Sequence, residues 1–599
     1  MVLYLKKYRI QVISLIWAYC ALFGVVYYLK TGTAQRNYSN NMIYLFLYIA
    51  FAFLIAKIIP YVNKRRLIWS VPFSVLTSGM FLIGAQIEYE RAISWTLSTC
   101  VQIVALTAFF VPAYIWLFYM CTEYEAGSCE WNTEKWKKWK IYAIIVFFWA
   151  LAYLALFPGI YDYDSIDQTL QFLVRGEISS HHPVIHSAVL SAFLWIGQKT
   201  VGSYEIGLGL YSLLQLLFLA YAAMSVSWYL LEKKRKILFL LSLVFYAVFP
   251  VHYIMAVWAT KDTIFSGLFA LVSLSLIRMM DEDSEFWKSK RNILKFIILV
   301  LMMCMFRNNG IYALVLMVPV CFFCYKKARW KVILLVAISS VLYLSYQNVL
   351  LPALGVRSGN FREMMSIPCQ QMAKVYTETP EVYMEEEKEA LFELIPEENL
   401  MDYQIRPMIS DATKNFFDSE MFKEDPVKYA KLYVDIGLKS PRKYVEAFLT
   451  NSLGFWYPDK SYPDERMFHP YVEFDMADPD LFKGDYIYLE RTSLFPQYET
   501  VLRMVMQDTV WQFIPIISNF FVPGTYFIVL LFAIGISFYR KDYKRLVVMG
   551  FWAGLWFTLL ISPVALIRYA YPVVVCLPFL AHFIVSGETG QEDKLIKMK

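Results

Sequence analysis

Asp162, Asp164 and Asp167 stand within one short stretch of the chain, and His181, His182 and His186 follow soon after. Carboxylates held just outside a helix end can take a proton from a hydroxyl acceptor, or can ligate a hard cation. Asp162, Asp164 and Asp167 are therefore candidate catalytic bases. His182 and His186 have the i, i+4 spacing that puts two imidazoles on one helix face, so with Asp162 and Asp164 they form a candidate set for a divalent metal. They can equally bind a phosphate or hold the carboxylates by hydrogen bonds. The plainer alternatives are a solvated acidic loop and interfacial histidines with no ligand.

The elements around this cluster are made for hydrocarbon. Hydrophobic residues make up 58% of the 599 and charged residues 18%, against about a quarter charged in a soluble domain, and mean hydropathy is +0.44. This is the composition of a polytopic membrane protein. The net charge of +6 does not point to nucleic acid, because the basic residues fall in short bursts between apolar runs, the pattern that encodes topology. Nine cysteines are scattered, with Cys369 alone in the long polar segment, so no disulfide framework is expected. No G-x-G-x-x-G or P-loop is present. The first apolar run leads into further spans and is not read as a signal peptide.

Apolar runs predict spans near 9–29, 42–61, 67–87, 97–120, 141–158, 207–231, 237–257, 262–280, 292–306, 310–325, 331–351, 518–539, 545–562 and 570–586. With Lys6, Lys7 and Arg9 in the cytoplasm, the basic bursts at 64–66, 135–140, 233–236, 288–291, 326–329 and 540–545 all fall inside, as do Lys594, Lys597 and Lys599. That assignment keeps 184–200 out of the membrane. Carrying His186, Ser187 and Ser191 at helical spacing, it is expected as an amphipathic helix on the outer surface. The organisation is then a four-helix membrane segment (1–140), a membrane core (141–351) with an outer loop at 159–206, an extracytoplasmic mixed or mainly helical domain (352–510), and C-terminal helices with a cytoplasmic tail (511–599). Sparse apolar periodicity suggests that 352–510 leans on the membrane part.

In this topology the aspartates and histidines above, with His252, Lys261, Asp262, Arg307 and Arg568, all map to outer span ends or outer loops. A charge at a span centre costs about 2.5–3.5 kcal/mol, so charges gathered at one side predict a polar cavity open to the outer leaflet. Lys261 can neutralise a phosphate, and Asp262 can orient a sugar or a cation. Arg307 and Arg568 run against the positive-inside bias, and the guanidinium fork suits phosphate oxygens. With His182 and His186 these four are the candidate substrate or phosphate ligands. Trp258, Trp456 and Tyr457 are unspecific candidates for stacking on a sugar.

Over about 141–280 the order is a span, an acidic outer loop, a His-Pro segment, a helix ending in Gly, a span ending in a basic cluster, and a span tipped by Asp262. This order, with Arg568-Tyr-Ala-Tyr-Pro572, resembles the integral-membrane glycosyltransferases of the GT-C superfamily, especially the bacterial branch related to protein mannosyltransferases and lipid A aminoarabinose transferases. It is also similar to an uncharacterised family of bacterial membrane proteins with the same Asp-rich loop and His-His-Pro. The apolar runs give an all-α polytopic membrane protein of about 14 transmembrane helices, and the resemblance implies that its fold is GT-C-like. It implies transfer of a sugar from a polyprenyl-phosphate donor to a glycan, lipid or protein acceptor at the outer face of the bacterial plasma membrane. An acidic base in the first outer loop is implied, which Asp164 or Asp167 matches best and Asp162 less well. That family often has Lys before the Pro where His182 stands here, so phosphate binding falls to His182 or moves to Lys261, Arg307 or Arg568. Four spans precede the matching region, where the family usually starts near its first span. The rival readings are a flippase or transporter for lipid-linked oligosaccharides, which needs charges at mid-span, and an envelope polysaccharide polymerase or ligase.

Overall fold

The computed structural model describes residues 8–31, 42–122, 133–282, 284–460, 474, 476, 487–507 and 510–586. Lys6, Lys7, Lys594, Lys597 and Lys599, used above to orient the chain, lie outside the described residues. Four apolar helices come first: α1 (Arg9–Lys30), α2 (Met42–Ile58), α3 (Lys64–Ala85) and α4 (Leu97–Thr122). Without a hydrophobic driving force between helices in lipid, close approach relies on small residues. Gly24 of α1 accordingly lies against the α4 backbone at Leu106, and Trp17 Nε1 donates to the Ala108 carbonyl at 2.7 Å.

The chain continues through α5 (Lys138–Ala155), α6 (Tyr163–Leu170), α7 (Val184–Val201) and α8 (Tyr204–Glu232). Next come α9 (Lys236–Val248), α10 (Pro250–Val257), α11 (Lys261–Glu282), α12 (Lys290–Phe306), α13 (Asn309–Cys324) and α14 (Arg329–Ser345). The polar segment includes α15 (Ser366–Glu378), α16 (Glu385–Leu394), α17 (Glu397–Ile405), α18 (Pro426–Lys439) and α19 (Pro441–Asn451), with shorter helices between them and a further one at Pro496–Met506. The chain then returns to apolar helices α20 (Pro523–Arg540), α21 (Leu546–Leu560), α22 (Ile567–Val575) and α23 (Leu577–Val585).

Among the described residues nine helices are long and apolar enough to cross a membrane, and eleven if each bent pair counts as one span. The chain is thus an all-α, multi-pass membrane protein, with no strand among the described residues. The bent pairs are α9 with α10, at 51°, and α22 with α23, at 48°. Both bends fall where a proline, Pro250 or Pro578, opens the second helix; its missing N–H and its ring interrupt the ladder. Three further expected spans are helices of 17 (α12), 16 (α13) and 15 (α21) residues, shorter than the roughly 20 that a bilayer core asks for.

Helix α7 forms where expected, but its polarity is turned around. His186, Ser187 and Ser191 are buried, while Trp195, Ile196 and Val201 face outward. The helix runs antiparallel to the first turns of α8, with Gly197 backed directly onto Gly207. The face of His186, Ser187 and Ser191 is held by protein, and the exposed polar residues of the helix, Gln198, Lys199 and Thr200, gather at its C-terminal end. The polar segment also differs from expectation in having a core of its own, built on Met372, Leu391, Leu394, Leu400, Leu432 and Ile436. It does rest on the membrane part, through Asn451 Nδ2 to the Ser562 carbonyl at 2.8 Å and the Trp95 indole to Glu446 at 2.7 Å.

One short extended contact positions the acidic loop. The Ile160 amide donates to the Val257 carbonyl at 3.0 Å and the Ala259 amide to the Ile160 carbonyl at 2.9 Å, so the loop after α5 lies beside the turn between α10 and α11. Gly159 makes this approach feasible: its φ is +136°, and a Cβ there would overlap Ser212 Oγ and crowd the Val257 carbonyl. Gly176 also has positive φ, +69°, but open space around it. Gly159→Ala is therefore expected to lower the Tm of the detergent-purified protein clearly more than Gly176→Ala, which carries only the left-handed backbone cost of about 1–2 kcal/mol. Equal shifts would contradict the close approach.

Candidate functional site

Asp162 caps α6. Its Oδ1 accepts from the Ser165 amide at 2.9 Å and the Ser165 hydroxyl at 2.6 Å, and its Oδ2 from the Trp258 indole at 2.8 Å and Arg568 Nη1 at 3.2 Å. Both oxygens carry two contacts, and the residue is 1% exposed. Burial pushes its pKa up, with the Asp164 charge adding to the rise and Arg568 opposing it. Of the three candidate bases, Asp162 is therefore an anchor: no lone pair is left to face an acceptor, or a metal.

Asp164, in the first turn of α6, points the other way. Its Oδ2 lies 3.5 Å from Lys261 Nζ and 3.4 Å from Arg568 Nη2, with 14% of the side chain exposed. Burial pushes its pKa up, but Lys261 and Arg568 outweigh that and hold the carboxyl well below the usual carboxylate range. Lys261 Nζ also lies 3.0 Å from His182 Nδ1. An ammonium only donates, so Nδ1 accepts and the ring proton sits on Nε2, which faces Asp167 Oδ2 at 3.5 Å. Burial and the neighbouring Lys261 keep His182 well below its ordinary pKa, as a neutral ring. Asp167 is the outermost carboxylate, a third exposed, and is shared with Gln171 at 2.9 Å and Arg175 at 3.3 Å.

A second tier lies beneath. Asp262, fully buried at the start of α11, pairs with Arg307 from the α12–α13 turn, and Arg568 Nε approaches it at 3.8 Å. Arg307 lies over the Tyr569 ring, 4.5 Å from its centroid, and Arg568 over Trp258 at 5.2 Å. Arg568 Nη2 reaches the Tyr163 hydroxyl at 3.3 Å. Lys261, Asp262, Arg307, Arg568, Asp162 and Asp164 thus form one cluster, as their common topological side predicts. Tyr163 and Tyr569 were not singled out by sequence reasoning, although each adjoins a residue that was. Trp258 holds Asp162 and is buried, and Trp456 and Tyr457 pack among Met80, Ile87 and Leu453, so none of the three is placed for stacking on a sugar.

The histidine pair does not converge. Helix α7 begins at Val184 with Pro183 as its N-cap, so His182 precedes the helix and the shared-face argument for His182 and His186 fails. His186 is buried with both ring nitrogens engaged, Nδ1 against Gln168 Oε1 at 2.5 Å and Nε2 against the Tyr211 hydroxyl at 2.8 Å. Among the described residues no group of three His, Cys, Asp or Glu side chains is arranged to hold a metal ion. The set Asp162, Asp164, His182 and His186 does not fit a divalent cation. His186 instead steadies α6, since Gln168 Nε2 donates to the Asp164 carbonyl at 2.9 Å. His252 is elsewhere, bonded to Tyr571 within the helix core.

Residues 175–594, more than two thirds of the chain, match the model of a family of unknown function, DUF6020. The chain belongs to that family. The DUF6020 match takes in His182, His186, Lys261, Asp262, Arg307 and Arg568, and begins after Asp162, Asp164 and Asp167. No curated protein and no solved structure matches the chain.

Two measurements check this geometry. Asp162→Asn leaves Arg568 without its best-seated buried partner and is expected to cost about 3–5 kcal/mol, whereas Asp164→Asn, nearer the open edge where water can reach the cations, is expected to lower the Tm clearly less. Burial, with Lys261, pushes His186 from an ordinary 6.5 down to about 3. Its unfolded form therefore takes up a proton first, and stability present above about pH 6.5 is lost as pH falls toward 3. His186→Gln should narrow the difference in Tm between pH 7.5 and pH 5, and an unchanged difference would contradict the buried neutral ring.

Proposed function

We propose that the protein is a membrane glycosyltransferase that moves a sugar from a polyprenyl-phosphate donor to a hydroxyl of a cell-envelope acceptor. The observation that carries this reading is Asp164: a carboxylate at the edge of a buried charge cluster, open on one side, with Lys261 and Arg568 beside it. The acceptor oxygen attacks the anomeric carbon, the bond from that carbon to the phosphate oxygen breaks, and polyprenyl phosphate leaves with the electron pair. The acceptor proton passes to Asp164. Lys261 and Arg568 receive the developing phosphate charge, which is the electrostatic part of such catalysis.

The low pKa of Asp164 fits this sequence rather than opposing it. The same two cations that hold the carboxyl ionised would be drawn toward the donor phosphate. Shared with a second anion, they depress Asp164 less, and its basicity rises once the donor is bound. Neutral His182 supports the arrangement by accepting from Lys261 without competing for the phosphate. In this reading the lysine expected before Pro183 is replaced in function by Lys261.

The finer architecture belongs to the same proposal. Fourteen spans result if the bent pairs and the short helices α12, α13 and α21 all cross, in a GT-C-like bundle. The termini then lie in the cytoplasm of a bacterial cell, with the site and the domain at 352–510 outside. A reporter fused after Lys199 is expected to report the outer side.

The test is a transfer assay in membranes with labelled polyprenyl-phosphate sugars. Asp164→Asn should lose at least about 10²-fold, the usual contribution of a general base, while Asp167→Asn retains activity within about tenfold. Full transfer by Asp164→Asn would overturn the assignment.

A further inference from the structure

At the far end of α11 from Asp262 the helices leave a cleft. Lys138 at the start of α5, Arg278 of α11 and Lys295 of α12 stand around it, and Tyr221, Leu271 and Leu274 line it toward the membrane interior. Sixteen residues of helix separate Asp262 from Arg278, roughly 24 Å at about 1.5 Å per residue. That is near the roughly 30 Å thickness of a bilayer core. The cleft therefore belongs to the membrane face opposite the carboxylate site and shares no residue with it.

Its charge is one-sided. Glu232 is the carboxylate near Arg278, taking Arg278 Nη2 at 3.1 Å and the Trp228 indole at 2.5 Å. Arg278 Nε is buried with no hydrogen-bond partner. Among the described residues neither Lys138 nor Lys295 has a carboxylate partner; Lys138 lies over the Trp228 ring, 5.3 Å from its centroid. Cations at a span end above apolar walls are complementary to a phosphodiester whose acyl chain continues into the bilayer. A free anion would use the cations and leave Tyr221, which is 45% exposed, uncovered.

We propose that this cleft binds an anionic diacyl phospholipid, with the phosphate among Lys138, Lys295 and the exposed part of the Arg278 guanidinium and one acyl chain along Tyr221. The site is independent of the proposed transfer reaction. It is tested by native mass spectrometry of the full-length protein, delipidated and then equilibrated with mixed vesicles of phosphatidylglycerol and phosphatidylcholine.

The wild type is expected to retain phosphatidylglycerol in preference to phosphatidylcholine, and millimolar inorganic phosphate should not displace it. The double variant Lys138→Gln/Lys295→Gln removes two exposed charges and should weaken that retention roughly 30-fold, about fivefold for each charge. Lys326→Gln/Lys327→Gln, in another basic turn, should leave it unchanged. Arg278→Gln should weaken it as well, a second route to the same outcome. Retention without headgroup preference, equal loss in both double variants, or displacement by inorganic phosphate would each overturn the proposal.

Discussion

Arg568 is the group on which the rest of the site depends. Its guanidinium is 2% exposed and lies 3.2 Å from Asp162, 3.4 Å from Asp164 and 3.8 Å from Asp262. A charge buried this deeply is tolerable only when paired and hydrogen-bonded. Meeting that condition forces three segments far apart in sequence to meet: the loop after α5, the start of α11, and α22. Asp262 adds a fourth by pairing with Arg307 from the α12–α13 turn. The geometry of the site follows from satisfying these charges.

The same constraint separates two carboxylates that look alike in sequence. Asp162 and Asp164 are two residues apart on a short helical turn, so they face different surroundings. Asp162 faces inward, where Ser165, Trp258 and Arg568 occupy both of its oxygens. Asp164 faces the edge, where only cations approach. Environments that push neighbouring titratable groups apart are what allow one to act as scaffold and the other as acid or base. The direction of each shift, upward for Asp162 and downward for Asp164, reflects those two environments.

Much of the cluster was legible before any coordinates, for a physical reason. Charge is costly in a membrane, so Lys261, Asp262, Arg307 and Arg568 stand out among apolar runs, and counting basic loops puts them on one side. The partners that complete the site were not legible. Tyr163 and Tyr569 disappear among 44 tyrosines, most of which need no explanation beyond the lipid interface. The pairing of His182 with His186 failed because Pro183 caps the helix and His182 lies before it. The inverted polarity of α7 was equally hidden, since periodicity gives the face but not whether protein or water meets it. Hydropathy averages also pass over the bends at Pro250 and Pro578, and the Glu-rich surface of α16 masked the core that Leu391 and Leu394 help to build.

The claim that these charges form one interlocked unit is tested most directly by a double-mutant cycle on Asp162→Asn and Arg568→Gln, read as the Tm of the detergent-purified full-length protein. If Arg568 is held chiefly by the carboxylates around it, each single variant destabilises strongly. The double variant then loses clearly less than the two losses combined, a coupling of about 1–3 kcal/mol. Strict additivity of the two losses would contradict the account.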